Sequence, residues 1–374
     1  MSIKHIYDPI HGFIELSEMM IKIIDTFEFQ RLRDLKQLGA VHFVYPSATH
    51  TRFEHSLGVC HLSKQMAKKL FGDEIIPNTN RFAWELISIA GLIHDIGHGP
   101  FSHLYDNFIR KEGEPEHEER GCEIFREMVK KYKLDLSDNE VNIIIDMVNP
   151  PEDKHYNPYY QIVANKVNQI DVDKIDYIQR DCYHIGLQFG GEWSRLLTMC
   201  EVTMLESPNV KLITWPKKLE YEIFQLFSTR YRLHKQVYNH HTVKAYEYLI
   251  SELLKDVDVP FIDLTDSIIN TNKCETLNKI KTRNIPKLVE EKILSNDQCA
   301  HMNYLYNEGV LKLSDYPTRN ENTIIDIISF GFASSDKNPL SNVYLHDNKN
   351  SSIIYPIENI QKTHKQIIWR KYVT

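Results

Sequence analysis

The sequence contains six cysteines, Cys60, Cys122, Cys182, Cys200, Cys274 and Cys299, and no CxxC pair among them. That scatter offers neither a zinc knuckle nor a disulfide framework, and it fits a reducing, intracellular compartment. A basic excess is also missing. With a formal net charge of −7 no overall positive field draws nucleic acid, so nucleic-acid binding is expected to be weak at most. A few converging Arg and Lys side chains can still hold an anionic small molecule. There is no long hydrophobic run: the most apolar stretch, residues 86–93, is far too short to span a bilayer. The amino-terminal MSIKHIYDPIHG carries no signal-peptide core. Repeats and low-complexity tracts are absent as well. The expectation is a soluble protein of the cytoplasm or nucleus with no membrane partner.

What is present begins with four residues, His55, His94, Asp95 and Asp173, in the segments RFEHSLGV, GLIHDIGHGPFSH and NQIDVDKIDYIQRDC. Two imidazoles and two carboxylates suit a hydrolytic divalent-metal centre. Leu86, Ile89, Ala90 and Ile93 fall at i, i+3, i+4 and i+7, one buried helical stripe. Gly97, Gly99 and Pro100 break that helix, which places His94 and Asp95 at its carboxyl end, where unpaired carbonyls favour a cation. The competing reading is a satisfied core histidine with a capping aspartate.

Most of the chain reads as helix: 28–38, 55–71, 120–132, 161–182 and 219–254 are amphipathic, with loops around Pro46, at 72–80 and at 149–158. After about residue 256 the texture changes. A stretch rich in Asp, Thr and Asn (257–278) precedes a helical segment at 286–295, then β-branched runs at 323–330, 351–357 and 365–373. The expected fold is mainly α, a helical metallohydrolase core over 1–255 (its motif region about 50–182) with a smaller C-terminal α/β lobe over 256–374. A length of 374 residues fits that two-part division.

Further candidates surround the metal set. Lys174, Tyr177 and Asp181 share one helical face, so Asp173 can reach a metal while Lys174 reaches an anion bound to it. The alternative is a solvated face carrying an Asp176–Arg180 i,i+4 surface pair. Arg230, His234 and Tyr238 also line up on a helix and suit phosphate and an aromatic contact, although an ordinary polar face has the same spacing. Arg52, three residues before His55, is a stronger phosphate candidate because its neighbour locates it. For proton transfer, His103 and Asp106 are near enough in sequence for the carboxylate to orient the imidazole. His117, in EPEHEER, reads equally well as a catalytic group or as a solvated helix start.

Together these residues resemble the HD-domain deoxynucleoside triphosphate triphosphohydrolases, most closely the catalytic region of the animal sterile-alpha-motif and HD-domain proteins. DPIHGFIEL, IIDTFEFQRLRDLKQLG, TRFEHSLGV, AGLIHDIGHGPFSH and IDVDKIDYIQRDCYHIG carry the resemblance in one order. It is dense over about residues 4–190, continues through TRYRLHKQVYNH and thins beyond. It implies His55, His94, Asp95 and Asp173 as metal ligands, and His103, Asp106 and His117 as catalytic groups. His98, Arg52, Lys174 and Arg230 would meet the phosphates. Gln37, Leu38, Tyr177 and Asp181 would meet the deoxyribose, and Tyr238 would exclude a 2′-hydroxyl. The implied reaction converts a dNTP and water to a deoxynucleoside and inorganic triphosphate. The cofactor would be iron, manganese, zinc or nickel, with magnesium as a second ion.

The resemblance also implies a GTP or dGTP activator site, matched by Lys4, Asp25, Gln30 and Arg33, and a homo-oligomer, dimer or tetramer. Departures weigh against nucleotide-driven tetramerisation. Tyr7 replaces an asparagine, only Lys218 survives of the second activator site around 214–222, and 186–200 reads as shortened. No sterile-alpha-motif segment is expected before residue 1, nor the family's last C-terminal segment. Asn239 stands in place of a glutamine near the sugar. Two other functions stay open: an HD phosphodiesterase on cyclic or alarmone nucleotides, and a catalytically silent nucleotide- or nucleic-acid-binding relative.

Overall fold

The apolar stripe of residues 86–93 lies on the Ala83–Ile93 helix, which is buried on nearly every side. It crosses the Arg52–Phe71 helix closely because Gly91 has no side chain: a Cβ there would lie 2.4 Å from Ser63 Oγ and 3.1 Å from the Val59 carbonyl. The computed structural model describes residues 3–374 apart from 112, 189–190, 192, 206–209, 256, 271–273, 296–297, 299–317, 321–322, 332–337, 348–353 and 358–365. Around the crossed pair pack the His117–Tyr132, Asp138–Val148 and Val172–Ile185 helices, and Glu220–Leu233 and His241–Lys255 follow. Their ends obey local chemistry. Ser137 and Glu140 form a reciprocal capping box at Asp138–Val148. Asp171 caps Val172–Ile185, and Gly186 (φ 72°) ends it in the left-handed conformation. The fold is mainly α with a smaller α/β lobe.

Several expected elements differ. Residues 28–38 are not one helix but the short turns Phe27–Gln30 and Arg31–Asp34, followed by extended chain. The reason is pairing with residues 50–52: Leu35 accepts from Arg52 N at 2.9 Å, and Gln37 N donates to His50 at 3.0 Å. Of 161–182, only the part from Val172 is α-helical, because Asn165 Oδ1 accepts from Val167 N and Asn168 N and holds a turn ahead of the Asp171 cap. The 219–254 segment breaks at Asn239, after a π-helical turn over His234–Tyr238. Residues 286–295 are a strand, Lys287–Ile293, not a helix: pairing with Gln366–Val373 overrides local propensity. The helix of that region lies earlier, at Glu275–Lys281. Strands occur at Thr323–Phe330, Ile354–Pro356 and Gln366–Val373 as expected, with 351–353 and 365 outside the described residues. The same holds for residues 189–190 and 192 of the shortened 186–200 segment.

Three sheets occur among the described residues. An N-terminal hairpin pairs Lys4–Asp8 with Gly12–Leu16. An antiparallel C-terminal sheet orders its strands 287–293, 366–373, 323–330, 318–320. The third sheet joins chain on both sides of residue 256, since Val210–Pro216 runs parallel to Tyr344–His346. Leu340, Val343, Leu345 and Ile357 enter the same hydrophobic core as Ile14 and Leu86. Among the described residues no helix is long and apolar enough to cross a membrane.

Candidate active site

Three helices bring the four expected ligands together. His55 lies in the first turn of Arg52–Phe71, His94 caps Ala83–Ile93 with Asp95 next to it, and Asp173 opens Val172–Ile185. His55 Nε2 is 3.0 Å from Asp173 Oδ1 and 3.2 Å from His94 Nε2. Asp95 Oδ1 is 3.4 Å from His94 Nε2, and its Oδ2 is 3.6 Å from His55 Nε2. The outer ring nitrogens show what the cluster needs. His94 Nδ1 lies 2.8 Å from the Gly91 carbonyl, which can only accept, so that nitrogen carries hydrogen. His55 Nδ1 is 2.7 Å from Asp176 Oδ2 in the same relation. Both Nε2 lone pairs then point at each other and at carboxylates. Arg52 donates to Asp95 Oδ2, but both Nε2 atoms and Asp173 Oδ1 face one another with no donor between them. Such a gathering calls for a cation, and two imidazoles with two carboxylates fit a borderline divalent metal. In the metal-free state a proton takes that place. Burial alone would lower the His55 pKa, but hydrogen bonds to Asp173 and Asp176 outweigh it and carry it up to about 10.

A trio of imidazoles stands beside this set. His98 stacks on His117 with centroids 3.9 Å apart, and the ring of His103 meets both edge-on, at 5.1 and 5.5 Å. His98 Nε2 is 3.3 Å from Asp95 Oδ1. The expected His103–Asp106 partnership does not form. Asp106 instead lies 3.0 Å from His117 Nδ1 and accepts from Arg120 Nη2 at 3.0 Å. His117 and Arg120 share a helical face and offer the carboxylate two donors at once, which His103 cannot match. In the EPEHEER stretch His117 and Arg120 therefore turn inward, while Glu114, Glu116 and Glu119 of the same helix start are exposed. The fit depends on Gly97: a Cβ there would meet the His117 carbonyl at 2.1 Å and Gly121 N at 2.4 Å. His103 is exposed on the cavity side. Desolvation by the surrounding cavity walls, then the nearby His117 and Arg52, hold its pKa below the ordinary imidazole value.

Asp173 of the first group and His103 and His117 of the second line a cavity of about 590 Å³, within the range of small-molecule sites. Arg52, Lys174 and Arg230 line it, with Gln37 and Leu38 on one wall. Arg52 is held by Ser102 Oγ at 3.0 Å and by Asp95. Lys174 Nζ rests 3.2 Å from Asp171 Oδ2. Arg230 Nε donates to Tyr177 OH at 3.2 Å. Tyr238 OH donates to Asp181, whose other oxygen is 2.8 Å from His50 Nε2. Arg230, His234 and Tyr238 thus face the cavity and do not form a solvated polar face. Ser329, Phe330 and Gly331 close one side from the C-terminal lobe. The Asp176–Arg180 pair, read as a surface device, is completely buried, because this helix packs on two faces.

With this geometry in view, comparison with known proteins is informative. Residues 52–181 match the HD domain family, a span running from Arg52 to Asp181. A deoxynucleoside triphosphate triphosphohydrolase SAMHD1 homolog of Dictyostelium discoideum is 31% identical, over 97% of this chain and 74% of that protein. The bovine (Bos taurus) deoxynucleoside triphosphate triphosphohydrolase SAMHD1 is 33% identical, over 91% of this chain and 69% of that one. An HD domain-containing protein of Acanthamoeba polyphaga mimivirus is 32% identical, over 97% and 90%. The chain belongs to the SAMHD1 family of HD-domain proteins.

In this SAMHD1-family chain the residues expected to meet an activator are only partly assembled. Gln30 Nε2 donates to the Ile24 carbonyl at 2.8 Å and its Oε1 accepts from Arg33 Nε at 2.8 Å, next to Asp25 at the end of Glu18–Ile24. Lys4 is exposed on a different element, the first hairpin strand.

Sequence reasoning missed four residues that support the site. Asp176 orients His55, His11 contacts Asp176, and His50 holds Asp181. Asp266 accepts from Phe101 N at 2.7 Å and from Lys36 N at 2.9 Å. It thereby pins two loops of the cavity where Phe101 and Ser102 both adopt positive φ, 57° and 59°. Asp176 had a usable signal, its i+3 spacing from Asp173. Asp266 had none, being one polar residue in a polar stretch.

Proposed function

We propose that this protein is a metal-dependent dNTP triphosphohydrolase, converting a dNTP and water to a deoxynucleoside and inorganic triphosphate. One observation carries the reading: a single cavity is lined by Asp173 of the His/Asp set, by His103 and His117, by three cationic side chains and by the Tyr238–Asp181 pair. The names of the relatives point the same way.

His55, His94, Asp95 and Asp173 would hold iron, manganese, zinc or nickel, with magnesium as a second ion. Such an ion supplies charge neutralisation at a phosphate oxygen and acidifies water. The chain's own residues do the rest. Arg52, Lys174 and Arg230 take the triphosphate charge, with His98 alongside. Gln37, Leu38, Tyr177 and Asp181 receive the deoxyribose, and the Tyr238 ring fills the space of a 2′-hydroxyl. Water oxygen bonds to the α-phosphorus, the P–O5′ bond breaks, and an imidazolium delivers a proton to O5′. We assign that delivery to His103, neutral until the triphosphate's negative charge favours its protonated form. His117, fixed by Asp106, stands beside it.

In this reading residues 1–255 form the catalytic core and the 256–374 lobe contributes a wall. Asp25, Gln30 and Arg33, with Lys4, are the place for a GTP or dGTP activator of a dimer or tetramer. The substrate puts the protein inside the cell, in cytoplasm or nucleus. The test is hydrolysis of each dNTP and of GTP by metal-loaded protein, with and without added GTP, resolving products by ion exchange. Deoxynucleoside plus triphosphate is expected. A monophosphate or pyrophosphate product would assign a phosphodiesterase, and intact dNTPs throughout would point to a binding role or another substrate.

A further inference from the structure

We infer that the N-terminal hairpin clamps the metal centre. His11, in its turn, is a positioning residue that holds Asp176 and, through it, the metal-binding tautomer of His55.

The turn between Lys4–Asp8 and Gly12–Leu16 is built to dock. Asp8 Oδ1 accepts from Ile10 N and His11 N, both at 2.9 Å, which shapes the turn. Its other oxygen accepts from Arg180 Nη1 at 2.8 Å. His11 Nε2 then lies 2.6 Å from Asp176 Oδ1. Arg180 donates to both oxygens of Asp176, at 2.9 and 3.0 Å, and His55 Nδ1 takes the remaining place on Oδ2 at 2.7 Å. Every strong acceptor position of this carboxylate is therefore used. Asp8, Asp176 and Arg180 are buried, and the His11 side chain is 9% exposed.

The site exists only because Gly58 lacks a side chain. A Cβ there would lie 1.9 Å from Asp176 Oδ1. The carboxylate is thus pressed against the His55 helix, where only His11 and Arg180 keep it turned toward His55. Without His11, Oδ1 keeps only its Arg180 bond, and the carboxylate loses one of the four contacts that set its angle toward His55 Nδ1. Partners that touch a ligand directly, as Asp176 touches His55, fix ring orientation and basicity and are worth about 10–100-fold in metal affinity. His11 acts through Asp176, so its loss should fall at the lower end of that range. Hairpin seating and metal retention are then one coupled property, although the hairpin supplies no ligand atom.

The experiment measures metal binding alone, without nucleotide. Full-length protein and the variants His11→Ala, His11→Phe and His11→Gln are stripped, titrated with Mn²⁺ or Zn²⁺ against a chelating indicator, and melted metal-free. His11→Ala and His11→Phe should bind metal about tenfold more weakly with wild-type ellipticity. His11→Gln, whose amide can still donate to Asp176, should recover most of the affinity. Affinity within twofold of wild type for His11→Phe, or equal loss in His11→Phe and His11→Gln, would overturn the inference. That comparison decides it even where His11→Ala does not fold. Because no substrate enters the assay, the result is separate from the hydrolase reading.

Discussion

Replacing Gly97 by alanine tests whether the distance between the metal set and the imidazole trio matters. The added Cβ would stand 2.1 Å from the His117 carbonyl and 2.4 Å from Gly121 N. These are backbone atoms of one helix, so no side chain can swing aside. Restoring ordinary contact at about 3.4 Å requires the start of His117–Tyr132 to withdraw by roughly 1.3 Å. His117 and Arg120 move with it, and Arg120 loses its 2.7 Å hydrogen bond to the Gly97 carbonyl. A misplacement of about 1 Å costs on the order of 100-fold in rate, and overpacking costs about 1–3 kcal/mol of stability. For a chain of this length that is a fall in Tm of about 1–4 °C. Gly97→Ala should therefore show kcat down about 100-fold with near-native melting and undiminished metal content. A kcat within threefold of wild type would refute the reasoning, because the trio would then work without its close contact to the loop after His94.

Asp106→Asn should lower kcat about 100-fold with metal content unchanged, since it removes the charge that holds both His117 and Arg120; unchanged kcat would remove the pair from the mechanism. Metal binding should release protons. With its pKa at about 10 in the metal-free protein, His55 is protonated at pH 8, so affinity should rise with pH by about tenfold per unit up to that value. Titration calorimetry in buffers of different ionisation enthalpy measures the release, and zero release at pH 8 would contradict a proton shared between His55 and its carboxylate neighbours. The sign for folding is opposite: the His55 contribution is full below about pH 6.5 and is lost as pH rises through about 10. Urea midpoints of metal-free protein should fall across that window.

Local spacing alone determined a good deal about this protein. The stripe ending in His94-Asp95, the glycines that stop the helix, and the face shared by Lys174, Tyr177 and Asp181 are short-range patterns set by helical geometry. They pointed to metal chemistry and a mainly α fold before any contact was known. Tertiary structure decided the pairings. Asp106 serves His117 because a distant helix start presents two donors. Asp176 is a buried clamp and not a surface ion because its helix has neighbours on both faces. Residues 287–293 are a strand because residues 366–373 lie beside them. In each case the residue's own neighbours in sequence permit more than one outcome. The choice falls to a hydrogen-bond donor, a steric wall or a pairing edge that comes from far along the chain, and no local pattern encodes which one will arrive.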